Sequence, residues 1–391
     1  RWLPTGHILE RHSSQPAASL EPTMRAVLLV GAAQLLFLEK LPAHAVVSES
    51  VALARALVRP GAAGLTNAVL RRVAETVVGR GQRPWSPASD VLPVEGGTVT
   101  LAGALLPPVT DLPAHLAAAT SCPQPLVRRW IDQFGEEQAI AFALHGLRTP
   151  PTIITGVDET TSHDAHLAAH VQRGCYLWQG TRTALREALA AHPSWRVQDP
   201  ASTLAVAALA EAGIKPTTAV DYCAGRGTKT RQLAALLPDC RIVATDVDPA
   251  RRVALRHAVT PLANVTVMDL PSLADKLGEA AIDLLLLDVP CSNTGVLARR
   301  PEARYRFGRE SLRSLRALQR RIIDTTLPLV CPGGHVLYST CSLEQSENQD
   351  QARHIADRCA GRIVRESLTT PAGEGATYHD GSYYALIQRT T

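Results

Sequence analysis

The sequence predicts an α/β domain built on a parallel sheet with helices on both faces, preceded by a small all-α domain. Three observations predict it. From residue 217 onward, five short apolar runs alternate with stretches of helical pattern. Runs that are almost continuously apolar suit strands buried on both faces, which is what a helix-covered parallel sheet requires. Before residue 80, apolar positions recur at helical spacing and nothing reads as a strand. Finally, the residues with chemical potential fall at strand ends, where such sheets bind ligands.

Length and composition set the bounds. A chain of 391 residues is long enough for two or three domains with their own cores. With 46% hydrophobic and 19% charged residues, it has the composition of an ordinary soluble globular protein. The formal net charge of +4 carries little information, but its distribution carries more. Residues 298–321 hold nine Arg and two Glu, which suits either a polyanion-binding face or a solvated helix in an Arg-biased chain. The eight cysteines, at 122, 175, 223, 240, 291, 331, 341 and 359, form no C-x-x-C pair. Their spacing suggests neither a zinc cage nor a disulfide scaffold, so no metal is expected and reduced thiols in a cytoplasmic protein are. Met24 and Arg25 lead into AVLLVGAAQLLFL, which could pass for a signal peptide. The run contains Gln34 and continues as a helical pattern, so a core helix is the better reading. No apolar run reaches the roughly 20 residues of a membrane span. Arg1 is not an initiator, which leaves the completeness of the N-terminus open.

In order along the chain, helices are expected at 25–40, 43–58 and 64–78, forming a helical domain over residues 1–80. Residues 81–115 are rich in Gly, Pro and Ser and read as a linker. Residues 116–196 read as an N-terminal subdomain of the catalytic region, with a helix near 124–146 and weak patterning afterwards. The catalytic domain is expected over 197–391. Its strands are TTAVDYC, RIVATDV, NVTVMD, IDLLLLD and HVLYSTC, and its helices lie at 229–237, 249–260, 310–329 and 344–358.

The first strand runs into CAGRGTKT, where Gly225 and Gly227 allow close backbone approach to a ligand at a helix N-terminus. The spacing is not that of a Walker phosphate loop. Asp246 ends the second strand, where a carboxylate can accept from both ribose hydroxyls. This arrangement suits a dinucleotide or S-adenosylmethionine equally well. Asp269 ends the third strand, where an adenine edge could be held. Asp288 follows four leucines, and an acid there is expensive to bury unless it faces a ligand. Pro290 and Cys291 follow at once, and Cys341 ends the fifth strand. A single such cysteine is more often core than catalyst, but two on neighbouring strand-end loops beside a cofactor turn favour chemistry.

DYCAGRGTKT, LLLLDVPCSNTGVLARRPEARYRF and LYSTCSLEQSENQ resemble the signature segments of the RsmB/Sun family of RNA cytosine-5 methyltransferases. VQDPAS at 197–202 and the closing DGSYYALIQR are similar too. The N-terminal LLFLEKLPAHAVVSESVALAR and GLTNAVLRRV resemble the NusB-like domain of the RsmB branch, so the resemblance spans almost the whole chain. It implies a Rossmann-like S-adenosylmethionine-dependent methyltransferase domain behind an all-α NusB-like domain. It further implies cofactor contact by Cys223, Ala224, Gly225, Arg226, Gly227, Thr228 and Lys229, and by Asp246, Asp269 and Asp288. Cys341 becomes the nucleophile, Cys291 assists its release, and Asp288 hydrogen-bonds the base. The neighbouring helix N-terminus is expected to lower the attacking thiol's pKa. RNA, most simply small-subunit ribosomal RNA, is the expected partner of a monomeric enzyme, with Arg299, Arg300 and Arg304 as contacts.

The sequence departs from the family pattern at three places. Arg226 and Thr228 replace the usual proline and glycine of C-A-A-P-G-G-K, and Asn293 stands where small residues are usual. Thr155 and Val157 occupy the place of a common Arg-x-Asn. Three other readings remain. Cys291 could be the nucleophile, as in DNA cytosine-5 methyltransferases, although those lack T-C-S. The chain could be a catalytically impaired RNA-binding or ribosome-assembly factor on the same fold. A nicotinamide-dependent oxidoreductase shares the sheet but would need a G-x-G-x-x-G that is missing.

Overall fold

The computed structural model describes residues 2–13, 15, 16, 19–82, 84–158, 160–276 and 278–390, without the side chains of 274–276. The chain forms two compact units that divide between Thr149 and Pro150.

The first unit opens with α1 (Trp2–His12), α2 (Pro22–Phe37), α3 (Ala43–Leu57) and α4 (Ala62–Thr76). Their apolar stripes meet in a core containing Ile8, Leu28, Leu36, Val69, Leu70 and Val73. The stretch expected as a linker is folded. Strands β1 (Val77–Gly81), β2 (Val91–Val94) and β3 (Gly97–Leu101) form an antiparallel sheet in the order β1-β3-β2. Leu92, Val99 and Leu101 are buried and join the helical core. Gly96, at φ 75°, makes the tight turn between β2 and β3. The glycines that suggested a linker are therefore hairpin punctuation. β1 is also a strand where none was expected, begun by two valines at the end of α4. After it come α5 (Leu112–Thr120), α6 (Gln124–Phe134) and α7 (Glu136–His145). The single helix expected near 124–146 is broken at Gly135, whose φ of 84° no helix can contain. These helices belong to the first unit, so the expected 116–196 segment is divided between the two.

The second unit begins with β4 (Ile153–Thr155), β5 (Leu167–Ala169), β6 (Cys175–Trp178), α8 (Arg182–Ala191) and β7 (Arg196–Val197). The strands form a small antiparallel sheet ordered β5-β6-β4-β7. Thr155, where the family's arginine was expected, is buried in β4 and donates to Gln198 Oε1 at 3.1 Å.

Next come α9 (Pro200–Glu211), β8 (Thr218–Asp221), α10 (Thr228–Leu236), β9 (Arg241–Ala244), α11 (Pro249–Val259), β10 (Val265–Val267) and α12 (Leu270–Lys276). The chain continues through β11 (Ile282–Asp288), α13 (Ala303–Arg306), α14 (Arg309–Thr326), β12 (Val330–Thr340), α15 (Gln349–Arg358), β13 (Arg362–Thr369) and β14 (Ser382–Gln388). The large sheet is ordered β10-β9-β8-β11-β12-β14-β13. Its first five strands are parallel and are the five read from the sequence. β14 runs antiparallel between β12 and β13, so the sheet is mixed and two strands larger than expected.

The core explains the central strand. Leu284 to Leu287 are all fully buried, alternating between the apolar layers on the two faces of the sheet. Register then places the site. Leu286 pairs with Asp221, Asp221 with Ala244, and Asp288 with Ser339. The carboxyl ends of β8, β9, β11 and β12 are therefore level, and the loops after them gather at one edge.

Candidate active site

The loop after β8 is shaped by two left-handed glycines, Gly225 (φ 57°) and Gly227 (φ 85°). A Cβ on Gly225 would meet open space, whereas one on Gly227 would lie 2.8 Å from Leu255 Cδ1. Gly227 is thus required by both conformation and packing, while Gly225 leaves room over the loop. Asp246 is buried after β9. Its two oxygens accept from the N–H groups of Gly225 (3.0 Å) and Asp248 (2.9 Å), which ties the second strand end to the glycine loop. Cys223 and Ala224 lie in the same loop, and the Ala224 N–H donates to Thr245 O at 2.9 Å. Burial pushes the Cys223 thiol well above the usual range. Arg226 is exposed and Thr228 opens α10. Asp269 follows β10 and caps the next helix by accepting from Ser272 N–H at 2.9 Å; the Ser272 side chain, and then this N–H, hold its carboxyl below the usual range.

Asp221 was not singled out from the sequence, although it ends an apolar strand as Asp288 does. It is fully buried, accepts from Thr230 Oγ1 at 2.6 Å, and leaves Oδ1 without a partner. Burial raises its pKa to about 7. A carboxyl raised on folding binds protons in the native state, so it destabilises the fold progressively as pH rises from about 4 to 7. Asp221→Asn should remove that penalty. Urea titrations at pH 5 and 7.5 should show the variant gaining stability over the wild type as pH increases; an equal difference at both pH values would contradict the assignment.

These residues suit a nucleoside carrying positive charge. The loop has space above Gly225, a buried carboxylate at the end of the second strand, and an orphaned acceptor on Asp221 for a cationic donor.

The two predicted thiols are adjacent: Cys291 Sγ and Cys341 Sγ are 3.4 Å apart. Cys291 is buried and Cys341 half-buried. Asn293, at φ 60°, accepts from Cys341 Sγ at 3.2 Å and donates from Nδ2 to Cys291 O at 2.9 Å. Asn tolerates this left-handed backbone better than most residues, and its amide joins the two cysteine loops. The hydrogen bond to Cys341 and burial hold the Cys291 thiol well above its ordinary pKa.

Asp288 lies beside them. Lys229 Nζ donates to its Oδ2 at 2.8 Å and Ser339 Oγ to its Oδ1 at 2.9 Å. Lys229 was read only as part of the cofactor segment, and the fold gives it this second task. Burial lowers its ammonium pKa, but the Asp288 charge and hydrogen bond, with the nearby Cys341 and Asp221, outweigh that and raise it.

The arginines divide differently from expectation. Arg299 donates from Nε to Asp380, from one terminal nitrogen to Asp199 (3.0 Å) and from the other to Pro151 O (3.1 Å), and lies over the Tyr378 ring. It braces the domain rather than facing solvent. Arg304 is buried and is not a surface contact either. Only Arg300 is exposed, 3.9 Å from Glu302. Sequence alone could not separate them because an arginine's charge does not reveal which way its stem packs. Exposed positive charge also lies on α14, where Arg309, Arg313 and Arg320 face solvent along the flank of the stripe formed by the buried Leu312, Gln319 and Ile323. Among the described residues, no acid pairs with these three.

Among the described residues no group of three His, Cys, Asp or Glu could hold a metal ion, and no helix is long and apolar enough to cross a membrane. Residues 212–384 match the family described as 16S rRNA methyltransferase RsmB/F, and residues 5–75 match the NusB family. The chain is 30% identical to the ribosomal RNA small subunit methyltransferase B of Pseudomonas putida, covering 99% of this chain and 87% of that one. The corresponding protein of Erwinia tasmaniensis is 29% identical, covering 97% and 85%. In fold, a methyltransferase homolog from Pyrococcus horikoshii superposes with a TM-score of 0.56 at 21% identity, over 70% of this chain and 97% of that one.

Proposed function

The chain belongs to the RsmB/F family of S-adenosylmethionine-dependent rRNA methyltransferases, and from that premise we propose that it methylates carbon 5 of a cytosine in small-subunit ribosomal RNA. The observation that carries this reading is the 3.4 Å approach of two cysteine sulfurs beside a lysine-paired aspartate. Oxygen or nitrogen acceptors need no thiol. Carbon 5 of cytosine is too weak a nucleophile to take a methyl group until another group adds to the ring.

When bound, S-adenosylmethionine supplies an electrophilic methyl group. Cys223 to Lys229, Asp246, Asp269 and Asp288 are the residues that would hold it. The Cys341 thiolate adds to carbon 6, and the electron pair displaced onto carbon 5 takes up the methyl group. The Asp288–Lys229 pair is a proton source for ring nitrogen 3, which favours that addition. A water molecule then takes the carbon-5 proton, the bond from Cys341 to carbon 6 breaks with its electrons returning to sulfur, and ring nitrogen 3 gives its proton back to the Asp288–Lys229 pair. Cys291, kept as a thiol, can donate a hydrogen bond to the departing thiolate and so assist release. The base must be unstacked to reach the thiols, so single-stranded or locally opened RNA in the cytoplasm is the expected substrate.

Incubating free 16S rRNA and small subunits with enzyme and S-adenosylmethionine, then sequencing after bisulfite treatment, tests the reading. One protected cytosine is expected; methylated nucleosides other than 5-methylcytidine in the digest would refute it. For RNA binding, replacing Arg309, Arg313 and Arg320 together by Ala should flatten the salt dependence of affinity by roughly 2 in log–log slope, at ~0.7 per single-strand phosphate contact. An unchanged slope from filter binding would remove α14 from the interface.

A further inference from the structure

Glu347 is fully buried on the turn between β12 and α15, and the reaction above gives it no task. Its carboxylate accepts from the Ser292 N–H (3.0 Å), the hydroxyls of Ser292 and Ser342 (2.6 Å for the latter), and Gln319 Nε2 of α14 (3.0 Å). Ser292 follows Cys291 and Ser342 follows Cys341. One carboxylate therefore grips both cysteine loops at the residue next to each sulfur.

The surroundings fix the carboxylate in turn. Tyr338 OH donates to Glu347 O at 2.7 Å, and Gln319 also donates to Pro290 O at 2.9 Å. The neighbouring Asn348 donates to Ser342 O at 2.8 Å and accepts from Thr340 Oγ1 at 2.6 Å, holding the turn that carries Cys341. A buried carboxylate is costly to desolvate and persists only when donors surround it, as they do here.

We infer that Glu347 is the positioning residue that sets the spacing of the two cysteine sulfurs and keeps the shared proton of the pair on Cys291. The second half of this inference rests on the reading of Cys341 as nucleophile. The charges around the pair are asymmetric in the required sense. The negative Glu347 disfavours a second anion at Cys291, while the positive Lys229 interacts with Cys341. The thiolate is thereby directed to the half-buried sulfur beside the aspartate–lysine pair once the proton that this sulfur donates to Asn293 Oδ1 has left.

Spacing can be read without the methylation reaction. Diamide, a two-electron oxidant, takes two electrons and two protons from a close thiol pair to leave a disulfide. Its formation between Cys291 and Cys341 is followed by peptide mass without reduction. Glu347→Gln should slow this cross-link at least about tenfold and lower kcat by a similar factor, with KM for RNA and S-adenosylmethionine within about twofold. Cross-linking at the wild-type rate overturns the positioning claim. If Glu347→Gln fails to fold, judged by lost S-adenosylmethionine binding, the Ser292→Ala, Ser342→Ala double variant tests the same grip. It too should cross-link slowly, and wild-type speed would again overturn the claim. For the proton, iodoacetamide labelling of Cys291 is followed against pH in a Cys341→Ala background. Glu347→Gln should move the half-point to lower pH, and Glu347→Asp should restore it toward the original value. An unmoved half-point sinks this part. An active Cys341→Ala enzyme would instead refute the cysteine roles and leave the cross-linking result standing.

Discussion

Cys341→Ala should reduce methylation to background, at least about 10³-fold below wild type, because no other group attacks carbon 6 in the proposed reaction. The variant should still bind S-adenosylmethionine with near wild-type affinity. The residues proposed to hold the cofactor are tied together by Asp246 and Gly225, and Cys341 is not in that linkage. Loss of stability should be small, since Cys341 is half-buried and its sulfur's hydrogen bonds are to Asn293 and Cys291. Tritiated methyl transfer combined with calorimetric cofactor binding separates these outcomes. Measurable turnover by Cys341→Ala would move the nucleophile to Cys291.

Cys291→Ala should fail at the opposite end of the reaction. The thiolate of Cys341 can still add and carbon 5 can still be methylated, but the departing sulfur loses its partner 3.4 Å away. A covalent enzyme–RNA adduct should accumulate to near stoichiometry and survive a denaturing gel, with multiple turnover down by about 10²-fold or more. The adduct should vanish in the Cys341→Ala, Cys291→Ala double variant. An adduct from Cys341→Ala alone would exchange the roles of the two thiols. The single variants differ in kind rather than degree, so the pair is more informative than either rate.

Much of the site was legible in the sequence because parallel sheets present functional residues at strand ends. IDLLLLD could be a buried central strand on composition alone, and its terminal Asp288 then had to face a ligand. The T-C-S turn and the P-C-S loop were legible as a pair for the same reason. Asp221 and Lys229 were less so. Both lie in segments read for the cofactor, and only the register of β8 against β11 brings Lys229 to Asp288. Glu347 lies in LYSTCSLEQSENQ, which resembles a family signature, yet nothing local gives it a task, since a glutamate in a polar stretch reads as solvated until a fold buries it.

Local pattern thus determined the five parallel strands, the glycine turn, the acids at their ends and the helical N-terminal core, all of which depend on a residue and its near neighbours. What it missed depends on distant partners. The β2–β3 hairpin looked like a linker until Leu92 and Val99 found a helical core to enter. β14 had to insert between β12 and β13, a pairing no local period encodes. Arg299 and Arg304 carry the same charge as their exposed neighbours, and only packing turned them inward. The physical reason is common to all: hydrophobic period and turn chemistry act over a few residues, whereas burial, ion pairing and sulfur-to-sulfur distance are properties of segments that meet only in the folded chain.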